Sequence, residues 1–158
     1  MSKGEISKGA TSNEWNLYYF RIFEAQLIEL KEKVVKLKAK DPEDFKSHKL
    51  TKLLASVYNA ILEDVPTNPA DSQFLLGNTL GKGYRHWKRV KKGLPNRYRL
   101  FFRYENKQKV IMYVWMNDQD TLRKEGSKTD VYAVFEKMLT KGDVPDAIDD
   151  LLEKDYQE

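Results

Sequence analysis

From residue 20 onward the apolar side chains recur at intervals of three and four: Phe20, Phe23, Leu27, Leu30, Val34 and Leu37, with lysines and glutamates filling the positions between. That spacing is a narrow apolar stripe along one helix. It predicts a first helix from about residue 13 or 14 to about residue 40. Asp41-Pro42-Glu43-Asp44 then reads as a second helix start, with Asp at the cap, Pro at the first helical position and acids in the first turn. The second helix carries Leu50, Leu54, Val57 and Ile61, flanked by Phe45 and Leu53. A connection this short predicts an antiparallel helical hairpin. The stripe would also suit an oligomer seam, but a helix following at once favours packing within the chain.

The period changes in the second half. Residues 65–78 hold Pro66, Pro69 and Gly77 and read as loop, with one further strand conceivable within 70–80. Strands are expected over about 86–92, 97–105 and 109–116, joined by turns at Gly93-Leu-Pro95-Asn96 and around Asn106. The run Val110-Ile-Met-Tyr-Val-Trp-Met116 is apolar at every position, as a central strand covered on both faces would be. Residues 117–129 are polar loop. Asp130 opens a short helix with Val131, Val134, Phe135, Met138 and Leu139, which Gly142 ends. The expected fold is therefore α+β: an N-terminal antiparallel helical hairpin packed on a small antiparallel β-sheet, with a C-terminal helix. Residues 1–12 are expected as a flexible lead-in, 13–142 as a single domain and 143–158 as an acidic tail.

Composition supports one globular domain. The chain has 158 residues, 41% hydrophobic and 33% charged, which is ordinary for a folded protein. It has no cysteine, which removes disulfides, thiol nucleophiles and cysteine metal sites. The first residues lack the apolar core of a signal peptide, and no run approaches a membrane span, so a cytoplasmic protein is expected, with no membrane partner.

Charge changes the picture more. The net charge is only +4, yet residues 82–109 hold eleven Lys or Arg against the single acid Glu105. Residues 141–158 hold seven acids and two lysines, a tail that shields the basic region or solubilises the end. Within the basic region Arg97, Arg99 and Arg103 share one strand parity with Phe101, while Tyr98, Leu100, Phe102 and Tyr104 take the other. Alternation predicts one oily face and one strongly cationic face. Cations beside aromatics suit a phosphate backbone and unpaired bases. A basic edge strand that resists aggregation is the plainer alternative, but it accounts poorly for three arginines on one face.

The usual catalytic signatures are missing. Gly77-Asn-Thr-Leu-Gly81-Lys82 is one residue short of a phosphate loop and lacks the following Ser or Thr. The two histidines, His48 and His86, form no cluster with metal-ligand spacing, so neither a metal nor another cofactor is expected. An enzyme built on this chain must work with lysine, arginine and tyrosine. RNA permits that, because its 2′-OH is a built-in nucleophile and the protein has to orient it, stabilise phosphorane charge and move two protons.

Trp87-Lys-Arg-Val-Lys91, Asn96-Arg-Tyr-Arg-Leu-Phe-Phe-Arg103 and the strand at 110–116 resemble the RelE toxin superfamily. The longer ordered set is more specific: Arg97-Tyr-Arg-Leu-Phe-Phe-Arg-Tyr104, Lys109-Val-Ile, Trp115-Met-Asn-Asp118, Thr121-Leu-Arg123, Lys128-Thr-Asp130, Tyr132 and Val134-Phe-Glu-Lys-Met-Leu139. With Asp41-Pro-Glu43 and Thr51-Lys-Leu-Leu-Ala55, it resembles the YhaV family of type II toxin–antitoxin toxins from about residue 15 to residue 138.

The resemblance implies a RelE-like RNase toxin fold and a metal-independent endoribonuclease, an mRNA interferase that halts translation and growth until neutralised. It implies a PrlF-type antitoxin with an AbrB-like fold, mRNA as substrate on or off the ribosome, and operator DNA only through the antitoxin. Carried onto this chain, it places Arg99 on the phosphate or transition state, Arg89 and Lys91 as the basic pair of the preceding strand, Arg123 after the last core strand, and Tyr132 for base stacking or proton transfer. A register slip would put Lys88 in the pair. Arg85, His86, Lys88, Arg97 and Arg103 are the expected RNA-binding residues around them. Arg99 would alternatively make a structural ion pair, and Tyr132 would alternatively sit in the core. A non-catalytic RNA- or ribosome-binding module would use the same basic face, and a protein-interaction module would leave that face without a role.

Overall fold

A computed structural model describes residues 7–77 and 79–156, without the side chains of 7–11, 82 and 153–156. Residues 1–6 of the expected lead-in, and the end of the acidic tail at 157–158, lie outside the described residues. The elements are β1 (Ser7–Ser12), β2 (Trp15–Tyr19), α1 (Arg21–Lys40), α2 (Lys49–Asn59), α3 (Val65–Thr67), β3 (Lys88–Val90), β4 (Leu100–Glu105), β5 (Val110–Met116), α4 (Val131–Lys141) and α5 (Ile148–Tyr156).

The N-terminal segment departs from expectation. Where a lead-in and a helix start are expected, the chain makes a β-hairpin. Trp15, Leu17 and Tyr19 alternate with Asn16 and Tyr18, so the strand period is present, ahead of the helical stripe. Asn13 and Glu14 form the two-residue turn with φ of 49° and 72°, the left-handed pair that a tight hairpin turn requires. Phe20 precedes α1 instead of belonging to it and packs on the opposite side of the sheet from Phe23, Leu27 and Leu30.

The sheet has five strands in the order β1-β2-β5-β4-β3. It is mixed: β2 runs parallel to β5, and every other pair is antiparallel. This corrects the expectation of an antiparallel sheet. The physical reason is that β2 occupies the free edge of β5 and enters in the same direction, as Asn16 opposite Val110 and Tyr19 opposite Tyr113 show. No strand forms within 70–80 among the described residues; Leu75 makes only an isolated bridge to Lys88.

The helical hairpin forms as expected and packs within the chain. Phe23, Leu27, Leu30 and Val34 of α1 are buried, and Leu53 and Val57 of α2 share a core with Phe23, Leu27 and Leu30. The start of α2 falls later than Asp41-Pro42 suggests. A tight turn and a 3-10 turn at Phe45–Ser47 intervene, and the His48 ring caps α2 by accepting a hydrogen bond from Leu50 N at Nδ1. Beyond Asn59 the chain runs on through a π-helical stretch, Ala60–Asp64, into α3.

All seven residues of β5 are buried, so the expected central strand is one. A bulge on β5 lets Val114 and Trp115 both face the same side, as Phe101 pairs with Trp115 and Phe102 with Tyr113. Two cores result. One holds Leu17, Phe102, Ile111 and Tyr113 beneath α1 and α2; the other holds Trp87, Phe101, Met112 and Trp115 beneath α4 and α5. The molecule is therefore three layers, helix on sheet on helix. Gly142 ends α4 with φ 83°. The acidic tail is not a free extension: Val144 and Leu151 are fully buried in the second core.

Candidate functional site

The sheet face that carries the arginines is covered, which corrects the expectation of one open cationic face. Parity does place Arg99, Phe101 and Arg103 on the same side. Phe101, however, is wholly buried, stacked on Phe135 of α4 at 4.1 Å between ring centroids. This apolar seal divides the cations into two groups at opposite ends of β4.

At one end, four side chains named by the sequence converge. Arg99 donates through Nε to the Tyr132 hydroxyl at 3.1 Å, and both are buried, at 7% and 4% exposure. Arg123 lies over the Tyr132 ring at 4.8 Å from its centroid, and Arg89 at 5.9 Å. Phe101 meets the same ring edge-on at 5.7 Å. The ring is enclosed by these groups, so an RNA base has no open face of Tyr132 to stack on. What Tyr132 offers is its hydroxyl, whose oxygen accepts from Arg99 and whose proton has no acceptor among the described residues.

Each member reaches this point for a local reason. Tyr132 stands in the first turn of α4, where the Asp130 carboxylate caps the helix by accepting from Tyr132 N. The same carboxylate binds Arg123 Nη1 at 2.8 Å and accepts from Lys124 N. Arg89 comes from β3, paired opposite Phe101, and donates through Nη1 to the Leu75 carbonyl. Its buried Nε has no partner among the described residues. Burial lowers the Arg89 pKa; the adjacent Tyr132 opposes that, and Arg99 and Arg123 add to it.

Arg99 is held just before β4. Asn117, 1% exposed, accepts from Arg99 N at 2.8 Å and donates to the carbonyls of Arg97 and Thr121. Arg123 N in turn donates to the Arg97 carbonyl at 3.0 Å. One buried amide thus clamps the segment bearing Arg99 to the loop bearing Arg123. Arg97 itself is exposed, with φ 72°, in the turn before the strand. Its left-handed backbone breaks the strand alternation that would have placed it on the face of Arg99.

Lys91 is not drawn in. Pairing of β3 stops at Val90 opposite Leu100, and Lys91 is exposed one residue beyond. Lys88 pairs opposite Phe102, on the parity opposite to Arg89, so Arg89 is the member of that strand that faces Tyr132.

The other end of β4 belongs to the tail. Arg103 lies over the Trp87 ring at 5.5 Å and donates to the Asp146 carbonyl. The Asp146 carboxylate holds His86 Nε2 at 2.7 Å and accepts from Trp87 Nε1 at 2.8 Å. Burial lowers the Arg103 pKa while Asp146 and Asp149 oppose it, and burial followed by Arg103 lowers that of Lys88. Of the expected RNA-binding set, His86 and Arg103 are thus engaged by the tail, Lys88 sits near Arg103, and Arg85 and Arg97 are exposed.

Sequence reasoning missed the roles of Asp130 and Asn117. Asp130 carried a signal, since an Asp before an amphipathic helix is a cap, but nothing marked its bond to Arg123. Asn117 carried none. Among the described residues no three His, Cys, Asp or Glu side chains gather as a metal site, and no helix is long and apolar enough to cross a membrane.

Residues 17–156 match the family model Toxin_YhaV, described as a toxin with endonuclease activity, of toxin-antitoxin system. The chain is 48% identical over 134 residues to the ribonuclease toxin YhaV of Escherichia coli K12, covering 84% of this chain and 86% of that protein. The toxin YhaV of Escherichia coli O157:H7 is similar to the same extent. No solved structure is a significant match. With the match spanning nearly every described element, the chain belongs to the YhaV family of endonuclease toxins of toxin–antitoxin systems.

Proposed function

We propose that this toxin is an mRNA endoribonuclease of RelE-like fold that cleaves through the substrate's own 2′-OH, with Arg89, Arg99, Arg123 and Tyr132 as its catalytic group. The observation that carries this reading is the Arg99–Tyr132 hydrogen bond with two further guanidiniums at the same ring. Three cations held by a rigid sheet and helix are a preorganised site for a dianionic phosphorane. No Lewis acid is required for that charge, so cleavage is metal-independent in this reading.

O2′ attacks the adjacent phosphorus and the P–O5′ bond breaks, leaving a 2′,3′-cyclic phosphate and a 5′-OH. Water takes the proton from the 2′-OH. Tyr132 supplies a proton to O5′ and regains one from water. Arg99 stabilises the phenolate in between, because its Nε donates to that oxygen. Arg123 and Arg89 hold the nonbridging oxygens. Lys91, exposed just beyond β3, contacts backbone phosphate without entering the chemistry. Growth inhibition follows from loss of mRNA, on or off the ribosome, and a PrlF-type antitoxin with an AbrB-like fold neutralises the toxin and provides its only link to operator DNA.

The test is cleavage of a defined RNA by wild type and Arg99→Ala, in the presence of a chelator, with both product ends mapped. Cyclic phosphate and 5′-OH ends, produced despite the chelator and lost in the variant, are expected. Cleavage by a folded Arg99→Ala at the wild-type rate would sink the reading. RNA bound but left intact would favour a non-catalytic RNA- or ribosome-binding module.

A further inference from the structure

A cleft of about 480 Å³ opens directly beside the catalytic group. Arg123 and Tyr132 form the wall it shares with that group, the loop at 125–128 forms a second, and Ala133 and Glu136 of α4 form the third. Its size falls in the range of small-ligand sites. The Tyr132 ring is enclosed by Arg89, Arg123 and Phe101, so the base next to a phosphate held there must sit elsewhere. This cleft is the concavity adjoining Arg123.

Its polar groups are selective. Glu136 is exposed on α4, and its carboxylate accepts no hydrogen bond from the described residues. Glu125 is turned toward Arg123 at 3.8 Å, and Asp130 is consumed by Arg123 and the α4 cap. Glu136 is therefore the cleft carboxylate with no cationic partner among the described residues, and Lys128 brings an exposed ammonium to the opposite loop. A carboxylate accepts hydrogen bonds only. Guanine presents two adjacent donors, N1–H and the 2-amino group, with the O6 acceptor next to them. Adenine and cytosine pair one amino donor with a ring-nitrogen acceptor, which opposes the second carboxylate oxygen. Uracil sets its single N–H between two carbonyls.

Resting on the arginine–tyrosine cluster as the place of cleavage, we infer that the cleft between α4 and the loop at 125–128 is a nucleobase subsite for guanine beside the scissile phosphate. Glu136 receives N1–H and the 2-amino group, and Lys128 donates to O6. Glu136 is thus a specificity-determining residue and takes no part in bond breaking.

The test compares wild type, Glu136→Gln and Lys128→Ala on RNAs that differ only in the bases flanking one cleavable bond. Wild type is expected to favour guanine at one flanking position. Glu136→Gln should lower that preference roughly tenfold or more, the scale of one charge-assisted hydrogen bond, as a change in the ratio of guanine to non-guanine cleavage. Equal cleavage of all four bases by wild type, or an unchanged ratio in Glu136→Gln, would overturn the subsite. A parallel NMR titration with guanosine monophosphate against uridine monophosphate separates the two readings. If wild type cleaves nothing while guanosine monophosphate alone shifts the amides of Gly126, Lys128 and Ala133, the nuclease assignment fails and the subsite stands. If neither nucleotide shifts them, the subsite fails whatever the cleavage shows.

Discussion

Phe101 of β4 and Phe135 of α4 stack at 4.1 Å with their planes 12° apart, and this contact decides where the cations of the sheet act. Trp115 lies parallel to Phe135 at 5.6 Å and Trp87 meets it edge-on at 5.1 Å, so Phe135 is the centre of an aromatic plug. The plug excludes RNA from the middle of the face and leaves Arg99 on one side and Arg103 on the other. Phe135→Ala should cost about 3–5 kcal/mol of stability by opening a cavity there. Urea denaturation followed by Trp fluorescence measures it; a loss below about 1 kcal/mol would mean the plug is not the core of that layer.

Tyr132→Phe removes the hydroxyl and keeps the ring between its arginines. If the hydroxyl moves a proton, single-turnover cleavage should fall by about 10²–10⁴ with little change in RNA affinity. Cleavage retained at the wild-type rate would leave Tyr132 only a packing role.

Asp130 serves both the α4 cap and Arg123, and the two roles separate by substitution. Asp130→Ser keeps a capping oxygen and loses the charge facing Arg123, whereas Asp130→Ala loses both. Both variants should lose cleavage, while Asp130→Ala should be less stable than Asp130→Ser by about 1 kcal/mol. Equal stability of the two would show that the cap contributes nothing measurable.

The tail clamps His86, Trp87 and Arg103 through Asp146. Asp146→Ala should free His86 for phosphate and remove a negative charge beside Arg103, while leaving the backbone carbonyl that Arg103 binds. Nonspecific RNA binding is then expected to tighten and its salt dependence to steepen, by about one unit of slope for each additional phosphate neutralised. An unchanged slope in filter binding across a salt series would show that the clamp does not hold these groups from RNA.

Tyr113 is buried and donates to the Ile61 carbonyl at 2.8 Å, and burial pushes its pKa well above 10.0, with Tyr19 and Asp64 adding to the rise. The folded state holds this proton more tightly than the unfolded chain. The associated stability is fully present below the unfolded value and is lost as pH rises above 10.0 toward the folded one. Wild type should therefore lose stability steeply above that pH. Tyr113→Phe, which costs about 1 kcal/mol near neutrality, should show a flatter alkaline limb; parallel limbs in the two proteins would contradict this.

Much was legible along the chain because it depends on local periodicity. The 3-4 spacing of Phe23, Leu27, Leu30 and Val34, the unbroken apolar run of β5, and the Asp130 and Gly142 limits of α4 are each set by neighbours within a turn or a strand. The residue types of the site, three arginines and a tyrosine, were legible too. Their arrangement was not. Alternation placed Arg99 and Arg103 on one face, but what covers a face depends on which helix lands there. The parallel pairing of β2 with β5, the meeting of Arg99, Arg123 and Arg89 around Tyr132, and the capture of Arg103 by Asp146 all join residues far apart along the chain. Local pattern limits which side chains can share a face; only the packing of the layers decides which of them meet, because burial of Phe101 and Phe135 outweighs the hydration of the cations beside them.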